Sequence, residues 1–147
     1  MINLNPMPQK ESYPKVYLYR RIVNAKLFID DHYSEKIDLD NIADEAYFSK
    51  FHFIRLFNEV YNKTPYQYLS FKRIEKAGEL LMTDLSVSQV CYMVGFESVS
   101  SFTGLFKRMT GQTPALYQLQ QRQKIAEVAE APLKFIPNCF AEKNGWK

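Results

Sequence analysis

Apolar residues recur along this chain at the three- and four-residue spacing of helices, and no stretch alternates with the period of a half-buried strand. Tyr19, Ile22, Val23 and Ile29 predict a first helix over residues 15–32. Leu39, Ile42, Ala43 and Ala46 share one face of a short second helix that Asp38 can cap. Ser49 can cap the next, where Phe53, Leu56, Phe57 and Val60 form an i, i+3, i+4, i+7 stripe expected to be buried. Thr64-Pro65-Tyr66-Gln67 combines a Thr cap, Pro at the first helical position and Gln three residues after the cap. It predicts a long helix to Met82, about 27 Å from end to end at ~1.5 Å per residue. Ser86 and Gln89 have capping-box spacing, with Val87, Val90, Cys91 and Val94 inward, and Gly95 suits a left-handed helix end. Ser98 caps a helix with Phe102, Leu105, Phe106 and Met109 inward, Gly111 stops it, and Thr113-Pro114 starts a last one to Ala129. The expected fold is all-α, with about seven helices.

The pattern repeats. Ile42 to Tyr68 returns as Val90 to Tyr117: Ile42, Ala43, Ala46 and Phe48 match Val90, Cys91, Val94 and Phe96 at an offset of 48. From Ser49 onward the offset is 49, through Phe53/Phe102, Leu56-Phe57/Leu105-Phe106, Thr64-Pro65/Thr113-Pro114 and Tyr68/Tyr117. One supersecondary unit is therefore used twice. The expected organisation is a flexible lead over 1–14, where Pro6, Pro8 and Pro14 cluster, then a first subdomain over 15–63. A linker helix over 64–83, a second subdomain over 84–130 and an irregular aromatic tail over 131–147 follow.

Short helix, turn and longer helix form a helix-turn-helix, whose second helix can lie in a major groove of DNA. With about 100° of rotation per residue, the positions opposite the buried stripe are Phe51, Arg55 and Asn58, and in the second copy Ser100, Gly104 and Lys107. Arginine can donate two bonds to guanine, asparagine can pair with adenine, and phenylalanine can press on a thymine methyl. Lys50, Lys63, Lys72 and Arg73 are candidate phosphate contacts.

Composition narrows the function classes. A hydrophobic content of 46% supports a packed core, and the net charge of +3 permits a polyanionic partner. Charge is unevenly spread: residues 30–46 hold seven acids against one base, whereas residues 98–124 hold four bases and no acid. Cys91 and Cys139 lack metal-ligand spacing, so no metal site is expected; a disulfide stays open, although the apolar setting of Cys91 suggests a small core residue, and no cofactor is expected. His32 and His52 stand outside any catalytic constellation, so no enzyme is expected. With no apolar run of membrane-spanning length and no signal peptide, the expected location is the cytoplasm, without a membrane partner.

Together these motifs resemble the AraC/XylS family of bacterial transcription regulators. The resemblance covers residues 15–120. It rests on L-x-x-I-A at Leu39–Ala43, S-x-x-x-F-x-R-x-F at Ser49–Phe57, and T-P-x-x-Y-L-x-x-x-R-I-x-x-A-x-x-L-L at Thr64–Leu81. V-G-F at Val94–Phe96, F-x-x-x-F-K at Phe102–Lys107 and G-x-T-P-x-x-Y at Gly111–Tyr117 complete it. It implies two helix-turn-helix subdomains joined by the long central helix, and two recognition helices approaching successive major-groove segments of double-stranded DNA. RNA polymerase is a second candidate partner. Carried over residue by residue, the base-reading places fall on Phe51, Ile54 and Arg55, then on Val99, Ser100, Thr103 and Gly104. The second set departs from the family: Gly104 stands where a long polar or basic residue is common, and Val99 is apolar. Cys91, Asn62 and Gln118 replace a usual Ala, Gly and Arg. Many relatives carry a further ligand-binding or dimerisation domain, so the chain is expected to be either a stand-alone module or a fragment. An alternative reading is an interaction module that keeps the fold, reads DNA weakly and binds a protein through Phe135, Ile136, Phe140 and Trp146. The first expectation for these four apolar residues is that they dock back on the helical body, and a partner surface is the alternative.

Overall fold

The helices that Ser49, Thr64, Ser86, Ser98 and Thr113 predict each start where the cap stands, because capping is settled within four residues of chain. The structure, a computed structural model, describes residues 7–40 and 49–131, with side chains from residue 16 onward. Its helices are α1 (Met7–His32), α2 (Lys50–Tyr61), α3 (Pro65–Leu80), α4 (Val87–Met93), α5 (Val99–Thr110) and α6 (Pro114–Glu130). No strand occurs among the described residues. Leu39 and Asp40 are helical, whereas Ile42, Ala43 and Ala46 lie outside the described residues, as do the tail aromatics and Cys139.

The caps are made as expected. Ser49 Oγ accepts from the His52 amide, Ser98 Oγ from Ser101 and Thr113 Oγ1 from Leu116. Thr64 and Gln67 exchange bonds reciprocally, as do Ser86 and Gln89. At its far end α2 closes on Asn62, in the left-handed conformation at φ 57°, while α5 closes on Gly111 at φ 83°. These are equivalent positions of the repeat, and asparagine is the side chain that best tolerates that region after glycine.

One expectation is corrected at the N-terminus. The segment read as a lead over residues 1–14 is helical from Met7, so α1 is 26 residues long. Pro8 stands in the first turn, where a missing N–H costs nothing, and Pro14 removes one hydrogen bond without ending the helix.

Two compact units divide the chain between Glu75 and Lys76, inside α3. The first is built on Ile22, Ala25, Ile29, Leu39, Phe53, Phe57 and Leu69. The second buries Ala77, Leu81, Val90, Cys91, Val94, Phe102 and Phe106. The stripes are narrower than predicted. Val23, Val60 and Met109 are exposed and Leu56 and Leu105 half-buried, so the seam of α2 and of α5 is its phenylalanine pair. Val60 and Met109 stand at the last turn of their helices, beyond the core.

The repeat extends to side-chain geometry. Phe57 meets Tyr68 edge-on at 5.8 Å, and Phe106 meets Tyr117 at 5.4 Å. Arg73 and Arg122, again 49 apart, do equivalent work. Arg73 donates to the carbonyls of Tyr33 (2.7 Å) and Glu35 (2.9 Å), in the turn after α1. Arg122 donates to those of Thr83 (3.0 Å) and Leu85 (3.4 Å), in the turn after α3. Gln118 adds bonds to Leu81 and Leu85, so it serves the same turn. In each unit the helix after the helix-turn-helix thus ties down the turn before it.

Asp30 sits in a further polar cluster, accepting from the Tyr68 hydroxyl, paired with Lys26 at 2.7 Å and near Lys72 at 3.9 Å. Burial opposes its ionisation, yet the bonds from Lys26 and Tyr68 and the two ammonium charges hold its carboxyl below the usual range. Burial, with the bond to Asp30, pushes the Tyr68 hydroxyl from the usual 10.0 up to about 12.

Candidate nucleic-acid interface

Because Phe53 and Phe57 anchor α2 from one side, the opposite side is presented to solvent. Phe51 is 79% exposed, a large ring with no apolar cover, and Arg55 and Asn58 follow it on the same face. On α5, anchored by Phe102 and Phe106, the exposed set is Ser100, Gly104 and Lys107, with Arg108 beside it. A Cβ built on Gly104 meets nothing within 4 Å. Arg55 and Lys107 form no ion pair among the described residues. Among the described residues, Arg55, Asn58 and Lys107 thus stand exposed on the outward sides of α2 and α5.

Ile54, Val99 and Thr103 are placed differently from these: each is half-buried. Ile54 packs against the first core, in a narrow cleft with Leu39, Phe53, Pro65 and Tyr66, so only part of its side chain is available for contact. Lys50 is tied as well. Its Nζ lies 3.0 Å from Asp40 Oδ1, and the Tyr66 hydroxyl donates to the same oxygen at 3.0 Å. The hydrogen bond from Lys50, then that from Tyr66 and last the charge of Lys50, hold the Asp40 carboxyl below its usual range.

The other candidate phosphate contacts also have partners within the first unit. Lys63 stands 4.8 Å from the centre of the Phe71 ring, Lys72 is near Asp30, and Arg73 holds the turn after α1. Arg73 is thus a structural residue. Its signal was present in the sequence as the 49-residue match with Arg122, which lies just beyond the segment in which the repeat is obvious. Asp40 and Tyr66 carried no such signal. No group of three or more His, Cys, Asp or Glu among the described residues could hold a metal ion, and no described helix is long and apolar enough to cross a membrane.

Residues 42–130, well over half of the chain, match the family model described as a helix-turn-helix domain, of the AraC type. The chain belongs to the AraC-type helix-turn-helix family. This AraC-type chain is 34% identical over 92 residues to the probable transcriptional regulator LumQ of Photobacterium leiognathi, covering 62% of this chain and 37% of LumQ. It is 39% identical over 88 residues to YdeC of Bacillus subtilis, an uncharacterized HTH-type transcriptional regulator, covering 59% of this chain and 30% of YdeC. The chain thus spans about a third of the length of these curated relatives. Among solved structures it resembles the DNA-binding domain of AdpA, a global transcriptional factor crystallised in complex with a target DNA. That likeness has a TM-score of 0.63 at 30% identity, covering 76% of this chain and 96% of the AdpA domain.

Proposed function

We propose that this AraC-type chain is a sequence-specific double-stranded DNA-binding transcription regulator, reading two successive major-groove segments with α2 and α5. The observation that carries the reading is the face of α2. A capped helix held by two buried phenylalanines presents Phe51, Arg55 and Asn58 outward at i, i+4, i+7. In this reading Arg55 pairs with a guanine, Asn58 with an adenine, and Phe51 covers a thymine methyl, while Ile54 adds apolar contact at their side. The second helix reads less. Ser100 and Thr103 offer hydroxyls that accept or donate to several base edges, Val99 offers only methyl groups, and Gly104 offers none. Lys107 and the backbone amides then mainly position the protein on phosphates. The chain would act in the bacterial cytoplasm, with RNA polymerase as the partner through which binding alters transcription.

Selection of bound sequences from a random duplex pool tests this. The expected motif has one sharp half and one diffuse half, spaced by about one helical turn, bound roughly 10³-fold or more above random DNA. Absence of duplex binding at about 50 mM salt, where phosphate contacts are strongest, would reject the reading in favour of a protein-interaction module.

A further inference from the structure

The ion pairing of Lys50 is at odds with what affinity for DNA asks of the start of a recognition helix. A free ammonium there would gain a phosphate contact. Instead three separate stretches of chain converge on one carboxylate: Asp40 before α2, Lys50 as its first residue, and Tyr66 in the first turn of α3. One oxygen, Asp40 Oδ1, takes both donors at 3.0 Å. Tyr66 follows the buried Pro65, and its hydroxyl gives the carboxylate a second donor beside Lys50. Lys50 and Asp40 both remain about half exposed, so the pair stands where a nucleic acid could reach it.

Resting on the DNA-reading proposal, we infer that Asp40 is a restraint on DNA affinity. It occupies Lys50 and sets a fixed negative charge beside the phosphates, so that α2 is retained on DNA by its base contacts more than by its charge. A phosphate that recruits Lys50 must share it with Asp40 or displace it, and in either case meets that carboxylate's negative charge. Electrostatic binding is the part that does not distinguish sequences. Asp40 therefore limits occupancy of random DNA, and Tyr66 is the positioning residue that keeps it aimed.

The test uses the full chain on a random-sequence duplex and on the selected site, over about 50–200 mM salt. Asp40→Asn is expected to tighten both by a similar factor, about three- to tenfold at the low-salt end, and to steepen the log–log salt slope by about 0.9, one added phosphate contact. Lys50→Ala combined with Asp40→Asn should return affinity and slope to those of the wild type. Tyr66→Phe, which leaves the ion pair's charges in place, should shift the slope in the same direction by less, and covers the case in which Asp40→Asn folds poorly. An unchanged slope, a loss of affinity in Asp40→Asn, or a gain that survives removal of Lys50 would overturn the inference while leaving the DNA reading intact. A wild-type chain that binds no duplex would overturn both.

Discussion

Replacing Gly104 with Ala isolates backbone propensity from every other effect. The residue stands in the middle of α5, away from both caps, and an added Cβ has no neighbour within 4 Å. Packing therefore contributes nothing in either direction. What remains is the difference between glycine and alanine in a helix interior, about 0.8–1.0 kcal/mol in favour of alanine. Gly111→Ala is the counterpart. It too meets open space, but its φ of 83° is a left-handed conformation that costs an L-residue roughly 1–2 kcal/mol. Denaturant unfolding followed by circular dichroism should show the midpoint rise for the first variant and fall for the second, at unchanged m-value. If the second unit melts by itself, a gain of ~1 kcal/mol raises its thermal midpoint by about 4–8 °C. A loss of stability in Gly104→Ala, or no difference between the two variants, would show that α5 is not a solvent-facing helix at Gly104.

Arg55→Ala should cost about 1–3 kcal/mol on the selected site and relax preference at one or two base pairs, read by repeating the selection. An unchanged motif would refute the outward-face assignment. Arg73→Ala removes two charge-assisted bonds to the turn after α1 and should destabilise the protein by about 1.5–3 kcal/mol, with the salt slope of DNA binding unaltered; a shallower slope would make it a phosphate contact after all. Tyr68 supplies an alkaline test. Its folded pKa, about 12, lies above the unfolded value near 10.0, so its share of stability is complete below pH 10 and is lost as pH rises through 12. Stability measured against pH in the wild type and in Tyr68→Phe should differ below pH 10 and converge above 12; parallel curves would refute the role of its proton.

What could be read from the sequence was decided locally. A Ser or Thr three residues before a free amide makes its cap whatever the rest of the chain does, which is why Ser49, Thr64, Ser86, Ser98 and Thr113 all stand where expected. The same holds for Gly111, where only a few dihedral angles decide the outcome. Burial was read less well, since Val60 and Met109 fit the period of the stripe but stand beyond the reach of the core that would cover them. Polar partners chosen across distance were not readable. Arg73 finds carbonyls 40 and 38 residues away, and Tyr66 finds Asp40 across 26. A lysine at the head of α2 looks available until the fold brings a carboxylate to it.

Cys91 gives the second unit a clock. Its sulfur is wholly enclosed in that unit's core, and burial pushes the thiol up from its ordinary acidity, so thiolate is scarce as well as hidden. A thiol reagent can therefore reach it only when the packing around it opens. With Cys139 changed to Ser, the rate of labelling counts those openings directly. The sulfur at the place where the resemblance expects an alanine thus records, in a single rate constant, how often the packing around it opens.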